Sequence, residues 1–286
     1  MLSVNPKDIN TQELHAYLLS AVAPRPIAFA STLDLGGCPN LSPFSFFNVF
    51  SANPPILIFS PARRVTNNTT KHTLENVKHI KEVVINVVNY DLVQQMSLAS
   101  TEYAEGVNEF EKAGLTMLKS DVVKPFRVAE APIQMECKVN DVIALGDKGG
   151  AGNLVICEVL KIHIKKVFLK EDGSINQEKL DLVARAGGSY YSRANKGFFE
   201  IPKPLSTLGI GVDALPSTIR NSVVLTGNNL GILANVEALP GKEVIGDFAK
   251  SHPQLAQLSE TEKHKKAQEF LENNHITKAW LTLLIT

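Results

Sequence analysis

The segment Ser60-Pro61-Ala62-Arg63-Arg64-Val65-Thr66 is followed by Asn67 to Thr70 and then by Lys71-His72-Thr73. It places two guanidiniums, an ammonium and several hydroxyls just ahead of a helix start. Unpaired N–H groups and the helix dipole favour an anion there, and Arg and Lys add charge-assisted hydrogen bonds. The chemistry this suits is a grip on a phosphate monoester. A solvated surface loop has the same composition, and the residues by themselves leave the two readings level. Upstream, Ser42-Pro43-Phe44-Ser45-Phe46-Phe47-Asn48 follows Ser31-Thr32. Aromatic rings at turn-flanked strand ends can cover a planar ring, while hydroxyls, amide and backbone groups meet its polar edge. Phe44 and Phe46 at period two, with Asn48 next on that face, also describe a packed core strand, which is the reading composition favours. No Gly-x-Ser-x-Gly context surrounds Ser31 or Ser45, which argues against acyl transfer. His15, His79, His163, His252, His264 and His275 lack metal-ligand spacing, so no metal site is expected.

The elements that must position these residues read mostly as strands over the first two hundred residues. Arg25 to Thr32 is an apolar run ended by Asp34-Leu35-Gly36-Gly37, and a second β-rich run continues through Asn48, which predicts a hairpin. Pro55 to Phe59 is a short buried-type strand. Thr73 is expected to cap a helix carrying Leu74, Val77 and Ile80, with a strand over Val83 to Val88. A helical turn is expected over Leu92 to Leu98. Ile133 to Leu145 and Leu154 to Phe168 are long β-rich runs separated by the glycine-rich loop Gly146 to Gly152. A helix over Gln177 to Arg185 then leads to Gly187-Gly188-Ser189-Tyr190-Tyr191. Lys242 to Lys250 and Glu260 to Asn273 read as helices, the second with an exposed charged face. Many short strands with few crossover helices favour an antiparallel barrel over a doubly wound sheet. The expected organisation is a core domain over 1–204 and a partly helical extension over 205–286, packed on that core.

Composition bounds the function. Lys plus Arg equals Asp plus Glu at 29 each, so no net field draws the chain to nucleic acid or anionic lipid. No apolar run approaches a membrane span, and Met1 to Asn10 lacks the pattern of a signal peptide. The three cysteines, Cys38, Cys137 and Cys157, are far apart and odd in number, which suggests reduced thiols and a cytoplasmic location. Their expected role is that of semi-buried small residues. Neither a Gly-x-Gly-x-x-Gly after a strand nor a Walker-type loop occurs, so the common nucleotide fingerprints are missing.

An ordered series of motifs resembles a known family. It comprises Arg25-Pro26-Ile27-Ala28-Phe29-Ala30-Ser31-Thr32, the Gly-Gly turn, Asn40, the Ser42 to Asn48 run and Asn53-Pro54-Pro55. It continues with Lys71-His72-Thr73-Leu74-Glu75-Asn76, Val84-Ile85-Asn86-Val87-Val88, Gly106-Val107-Asn108-Glu109-Phe110-Glu111 and Arg185-Ala186-Gly187-Gly188-Ser189-Tyr190-Tyr191. Over roughly residues 10–195 the chain resembles the flavin reductase-like family with the FMN-binding split barrel, the flavoredoxin-like proteins. The resemblance implies a mainly β fold with flanking helices, a split β-barrel of antiparallel, Greek-key type. It also implies FMN as cofactor, NADH or NADPH as electron donor, and a homodimer with the flavin near the subunit interface. By the same resemblance, Ser31, Thr32, Ser45, Phe46, Phe47 and Asn48 line the isoalloxazine and ribityl side, largely through backbone groups. Ser60, Arg63, Lys71 and Thr73 match the loop and helix start that hold the phosphate, with either Arg63 or Arg64 able to meet it. Gly188 and Tyr190 match a turn near the flavin. The family usually has Lys-Asp-Thr where this chain has Lys71-His72-Thr73, so the local charge is less negative here.

The expected function is an FMN-dependent oxidoreductase. It takes hydride from NAD(P)H onto a bound flavin and passes electrons to free flavin or to an electron-transfer acceptor protein. No general base is required, since the flavin carries the chemistry, and no residue is singled out as catalytic. The alternative is an FMN-binding electron carrier without turnover of its own.

Overall fold

An N-terminal helix, α1 (Thr11–Ala21), is capped by Asn10, whose side chain accepts the Glu13 N–H at 2.9 Å. The strand after it, β1 (Ala28–Leu33), is buried throughout, in this computed structural model that describes residues 1–201 and 208–285. Its unbroken apolar run follows from being covered on both faces. Ala28 and Ala30 join one buried cluster with Phe44, Phe59, Leu74, Ile85 and Val155, and Phe29 joins a second with Leu41, Leu92, Met96 and Phe110. The turn signal is realised as a hairpin: the Asp34 carboxylate accepts the Cys38 N–H at 2.8 Å, and β2 (Pro39–Phe44) returns antiparallel along β1.

The second run does not continue through Asn48. It breaks at Phe44, Ser45 and Phe46 form a corner, and β3 (Phe47–Ala52) pairs instead with β4 (Pro55–Phe59). Next come α2 (His72–Ile80), β5 (Glu82–Val87), α3 (Val93–Leu98) and α4 (Glu109–Lys112). A two-residue pair, β6 (Met117–Leu118) with β7 (Arg127–Val128), precedes the long strands β8 (Ile133–Ala144) and β9 (Asn153–Ile164).

The seven-stranded sheet has the order β2-β1-β5-β8-β9-β4-β3, antiparallel throughout. Its two edge strands, β2 and β3, are consecutive in the chain. A flat sheet would hold those edges about 29 Å apart at a strand spacing of about 4.8 Å. The corner between Phe44 and Phe47 reaches at most about 11 Å. The sheet therefore curls until its edges meet, a barrel closed by the chain itself while no ladder joins β2 to β3. Leu74 and Val77 of α2 enter the buried cluster of the barrel together with Cys137 and Cys157. Both of those cysteines are fully buried rather than half-buried; burial pushes the Cys137 thiol up to about 12, and Cys157 is raised well above its ordinary value for the same reason.

Two further expectations change. Lys71, not Thr73, is the N-cap of α2, and Thr73 sits in the first turn with its hydroxyl turned to Asn40. The helix expected through Arg185 stops early: α5 (Gln177–Leu180) ends at Asp181 in the left-handed region (φ 52°), and β10 (Val183–Arg185) pairs with β11 (Tyr191–Arg193).

The chain divides into two compact units, Met1–Phe199 and Glu200–Thr286. The position 204/205, expected as the domain boundary, lies outside the described residues. The second unit is helical, with α6 (Ser217–Arg220), α7 (Gly227–Ala234), α8 (Lys242–Ser251), α9 (Pro253–Ala256), α10 (Glu260–Glu272) and α11 (Ile276–Leu284). α8 and α10 are the two helices read from the sequence. α10 starts with a capping box between Ser259 and Glu262. The core of this unit gathers Leu215, Ile219, Leu233, Leu271 and Trp280, whose indole N–H donates to the Leu233 carbonyl at 3.1 Å. Among the described residues, no helix is long and apolar enough to cross a membrane.

Candidate functional site

The start of α2 faces a small cleft lined by Ser42, Arg64, Lys71, His72, Glu102 and Tyr103, among others. Lys71 is half-buried, with its ammonium 5.8 Å from the centroid of the Phe44 ring. Burial, and after it the nearby Arg64 guanidinium, holds the Lys71 ammonium below the usual lysine range, while Glu102 acts the other way. Lys71 and Arg64 line this cleft together with the carboxylates of Glu102 and Glu109, at the start of a nine-residue helix whose first N–H groups and dipole favour an anion. Within the cleft, the Glu102 carboxylate is hydrogen-bonded to Arg64 Nε, which holds that carboxyl below its ordinary value.

The two arginines are not equivalent. Arg63 is turned into its own loop, with Nε and Nη2 donating to the side-chain and backbone oxygens of Asn68, both at 2.7 Å. Its backbone is zipped to the glycine-rich loop, the Arg63 N–H donating to Ala151 O at 2.8 Å and the Gly150 N–H to Arg63 O at 3.0 Å. Arg64 instead shares the cleft with Lys71 and donates through Nη1 to Thr69 Oγ1 at 2.8 Å and Thr70 O at 2.5 Å. Ser60 belongs to the zipper: its Oγ accepts the Asn153 N–H at 3.0 Å.

Beneath the cleft lies a buried polar chain. Thr73 and Thr32 both donate to Asn40 Oδ1, at 2.8 and 3.4 Å, and Asn76 Nδ2 donates to Thr32 Oγ1 at 3.0 Å. Asn40 Nδ2 and the Leu41 N–H each donate to a Glu109 carboxylate oxygen at 2.9 Å. Burial pushes the Glu109 carboxyl up, against the effect of those donors. The structure thus links Thr32 on β1 with Thr73 on α2, two residues read from the sequence as belonging to opposite ends of one ligand. The linking residues Asn40, Asn76 and Glu109 were not read as site residues. Each does occur in the motifs that carry the family resemblance, which was the available signal.

The remaining sequence candidates are dispersed. Ser31 is fully buried and its Oγ has no hydrogen-bond partner. Ser45 and Phe46 form the corner between β2 and β3, with Phe46 O accepting the Ser60 N–H at 2.8 Å. Phe47 packs against the barrel cluster, and Asn48 is exposed, its side chain accepting the Val49 N–H at 2.8 Å. The expected common face of Phe44, Phe46 and Asn48 is therefore not formed, because β2 ends at Phe44, Phe46 lies in the corner and Asn48 belongs to β3. Gly188 has φ 56°, in the left-handed region. A Cβ on Gly187 would lie 2.3 Å from Ser20 Oγ of α1, so this turn also requires a close approach. Tyr190 is 77% exposed on the β10–β11 hairpin. Among the described contacts, no hydrogen bond joins Gly188 or Tyr190 to the α2 cleft.

Among the described residues, one cluster elsewhere brings ligand-type side chains together: Asp121, Glu136 and His163. It already contains two cations, with Lys161 2.6 Å from Asp121 and Arg127 3.6 Å from Glu136. Glu136 accepts the N–H groups of Asp121 and Val122 at 2.9 and 2.7 Å and meets His163 Nε2 at 2.7 Å. Burial alone would raise this carboxyl, but these partners outweigh it and hold Glu136 below its ordinary value. The cluster fastens the segment before β7 to strands β8 and β9.

Residues 20–177 match the family described as Flavin reductase like domain. A protein of Aquifex aeolicus is 38% identical over 188 residues, 66% of this chain and 93% of that protein. The crystal structure of nitrilotriacetate monooxygenase component B from Bacillus cereus superposes with a TM-score of 0.65 at 29% identity, covering 70% of this chain and 98% of that one. Flavoredoxin of Desulfovibrio vulgaris shares the fold at a TM-score of 0.54 and 22% identity, covering 65% and 93% of the two chains.

Proposed function

The chain belongs to the flavin reductase-like family, and on that premise we propose that it is an FMN-dependent oxidoreductase that draws its electrons from NADH or NADPH. The observation that carries the reading is the cleft at the start of α2, where the Arg64 and Lys71 cations fit a phosphate monoester and Ser42 and His72 stand beside them. FMN bound there would supply hydride acceptance and onward electron transfer, chemistry that belongs to the cofactor. The protein's own residues hold the phosphate through Lys71, Arg64 and the N–H groups of the α2 start. β1, buried throughout and paired on both sides, backs the cleft through the Thr32 side chain, which donates to Asn40. In this reading Arg63 and Ser60 shape the loop and do not touch phosphate.

The test is anaerobic addition of NADH or NADPH to the FMN-loaded protein. Bleaching of the yellow colour by either donor supports the reductase. A protein that holds FMN but bleaches with neither is the electron carrier instead, and one with no affinity for FMN overturns both. Free flavin and an electron-transfer protein are the acceptors to offer after reduction.

A homodimer belongs to the same proposal. α1 has no buried residue, and the edge strand β3 exposes Val49 and Phe50 at 64% and 63%. Exposed apolar residues on an unpaired edge favour cover by a second copy. Sedimentation at micromolar concentration should show a dimer; a monomer that still holds FMN would refute it.

A further inference from the structure

Glu109 stands in the Gly106 to Glu111 stretch, and the function proposed above makes no use of it. It is 4% exposed and opens α4 behind the Asn108 cap. Its two carboxylate oxygens accept from different donors, Asn40 Nδ2 and the Leu41 N–H, both at 2.9 Å. β2 is an edge strand paired only with β1, so the Leu41 N–H meets no neighbouring strand; Glu109 supplies the missing acceptor. Since both oxygens face N–H donors, the ionised, acceptor-only form is the one the geometry fits.

That choice propagates. Asn40 must present its NH₂ to Glu109, which turns Oδ1 toward the two threonines and makes both hydroxyls donors. The Thr73 and Thr32 hydroxyls do meet Asn40 Oδ1, at 2.8 and 3.4 Å. Thr32 then keeps its lone pairs for Asn76 Nδ2 of α2, at 3.0 Å. A single carboxylate, 69 positions from Asn40, thereby orients side chains on the buried strand β1 and on the helix proposed to meet the phosphate.

We infer that Glu109 is a positioning residue of the flavin site: through Asn40 it sets the register between β1 and the start of α2 and commits the Thr73 hydroxyl proton inward. It rests on the FMN reading above. The α2 start then offers phosphate the Lys71 ammonium and backbone N–H groups, not the Thr73 hydroxyl.

The test is an exchange of acid and amide: Glu109→Gln, Asn40→Asp, and the two together. In Glu109→Gln a donor faces the Leu41 N–H or the Asn40 amide, unless Asn40 flips and reverses both threonines. Asn40→Asp sets two carboxylates within hydrogen-bond distance. Each single variant should lower FMN affinity by about 5- to 150-fold, the range for one disrupted buried hydrogen bond. In the double variant the amide introduced on α4 accepts the Leu41 N–H and donates to the carboxylate introduced on β2, which keeps an acceptor toward both threonines. Its affinity should return to within about threefold of wild type, at the precision of such pair measurements. The visible circular dichroism of the bound flavin should be lost and regained in parallel, which a change in thermal stability alone would not produce.

Glu109→Gln with wild-type affinity and spectrum overturns the inference, as does a double variant that fails to fold or binds FMN no better than the weaker single. Should neither single variant fold, recovery in the double supports it. A wild-type protein without FMN affinity overturns the flavin reading, and this inference with it; wild-type binding with no effect of the exchange overturns this inference alone.

Discussion

Removing the Lys71 ammonium should separate FMN from riboflavin. In Lys71→Ala, FMN loses one charge-assisted hydrogen bond, worth about 1.5–3 kcal/mol, or roughly 10- to 150-fold in affinity. Two features of the structure bear on where in that range the loss falls. Lys71 is half-buried, which strengthens its interaction with an anion. Arg64 lines the same cleft and stays behind, so one guanidinium remains to meet the phosphate. The expected loss is therefore toward the lower half of the range, about 10- to 40-fold. Riboflavin, without a phosphate, should bind equally to both proteins. The assay is fluorescence titration of both flavins at one fixed ionic strength. A pH series adds a second check. Burial and Arg64 hold the Lys71 ammonium below the usual lysine range, so the proton leaves, and FMN affinity falls, at a lower pH than an ordinary lysine would give. That alkaline limb should vanish in Lys71→Ala. Equal weakening of both flavins would mean the loss is structural and would refute the phosphate assignment; no weakening of either would transfer the contact to Arg64. Arg64→Ala should then weaken FMN by the larger factor, whereas Arg63→Ala, whose guanidinium is bound to Asn68, should change it by less than about threefold.

Glu102→Gln removes the carboxylate bonded to Arg64, and FMN affinity should rise about two- to fivefold with riboflavin unchanged, as for an exposed ion pair; a fall in FMN titrations would mean that Glu102 orients Arg64 instead. Gly188→Val places a β-branched residue at φ 56°, and FMN binding should weaken more than the melting temperature falls, measured by titration and thermal melts of the same sample; unchanged affinity would exclude this turn from the site. Glu136→Gln should cost about 1–3 kcal/mol and lower the melting temperature by several degrees, because buried N–H groups lose an ionised acceptor. Because Glu136 is held below its ordinary value when folded, its contribution is present above the unfolded carboxyl pKa and is lost as pH falls through the folded value. Melts across the acid range should show that limb in wild type and not in Glu136→Gln, and an identical limb in both would refute the assignment.

Elements whose signals are local were legible in the sequence. The Asp34 to Gly37 turn, the two long strands flanking the Gly146 to Gly152 loop, and α8 and α10 depend on turn chemistry and periodicity over a few residues. The ordered motif series carried the family and the barrel. The corner at Ser45 and Phe46 was not legible, because Phe44 to Asn48 reads as one alternating strand. Only the strand order of the seven-stranded sheet makes β2 and β3 its opposite edges, and only its closure brings them together at that corner. Nor could adjacent Arg63 and Arg64 be told apart: Asn68 takes one, and the cleft with Glu102 and Lys71 takes the other. The sequence by itself determined the fold family, the hairpins and the identity of the polar and cationic residues, since these follow from composition and short-range pattern. The tertiary structure alone decided which of them meet. The bond between Asn40 and Glu109 spans 69 positions, and no local rule specifies a contact that exists only once an edge strand lacks a neighbour and a distant carboxylate supplies the acceptor.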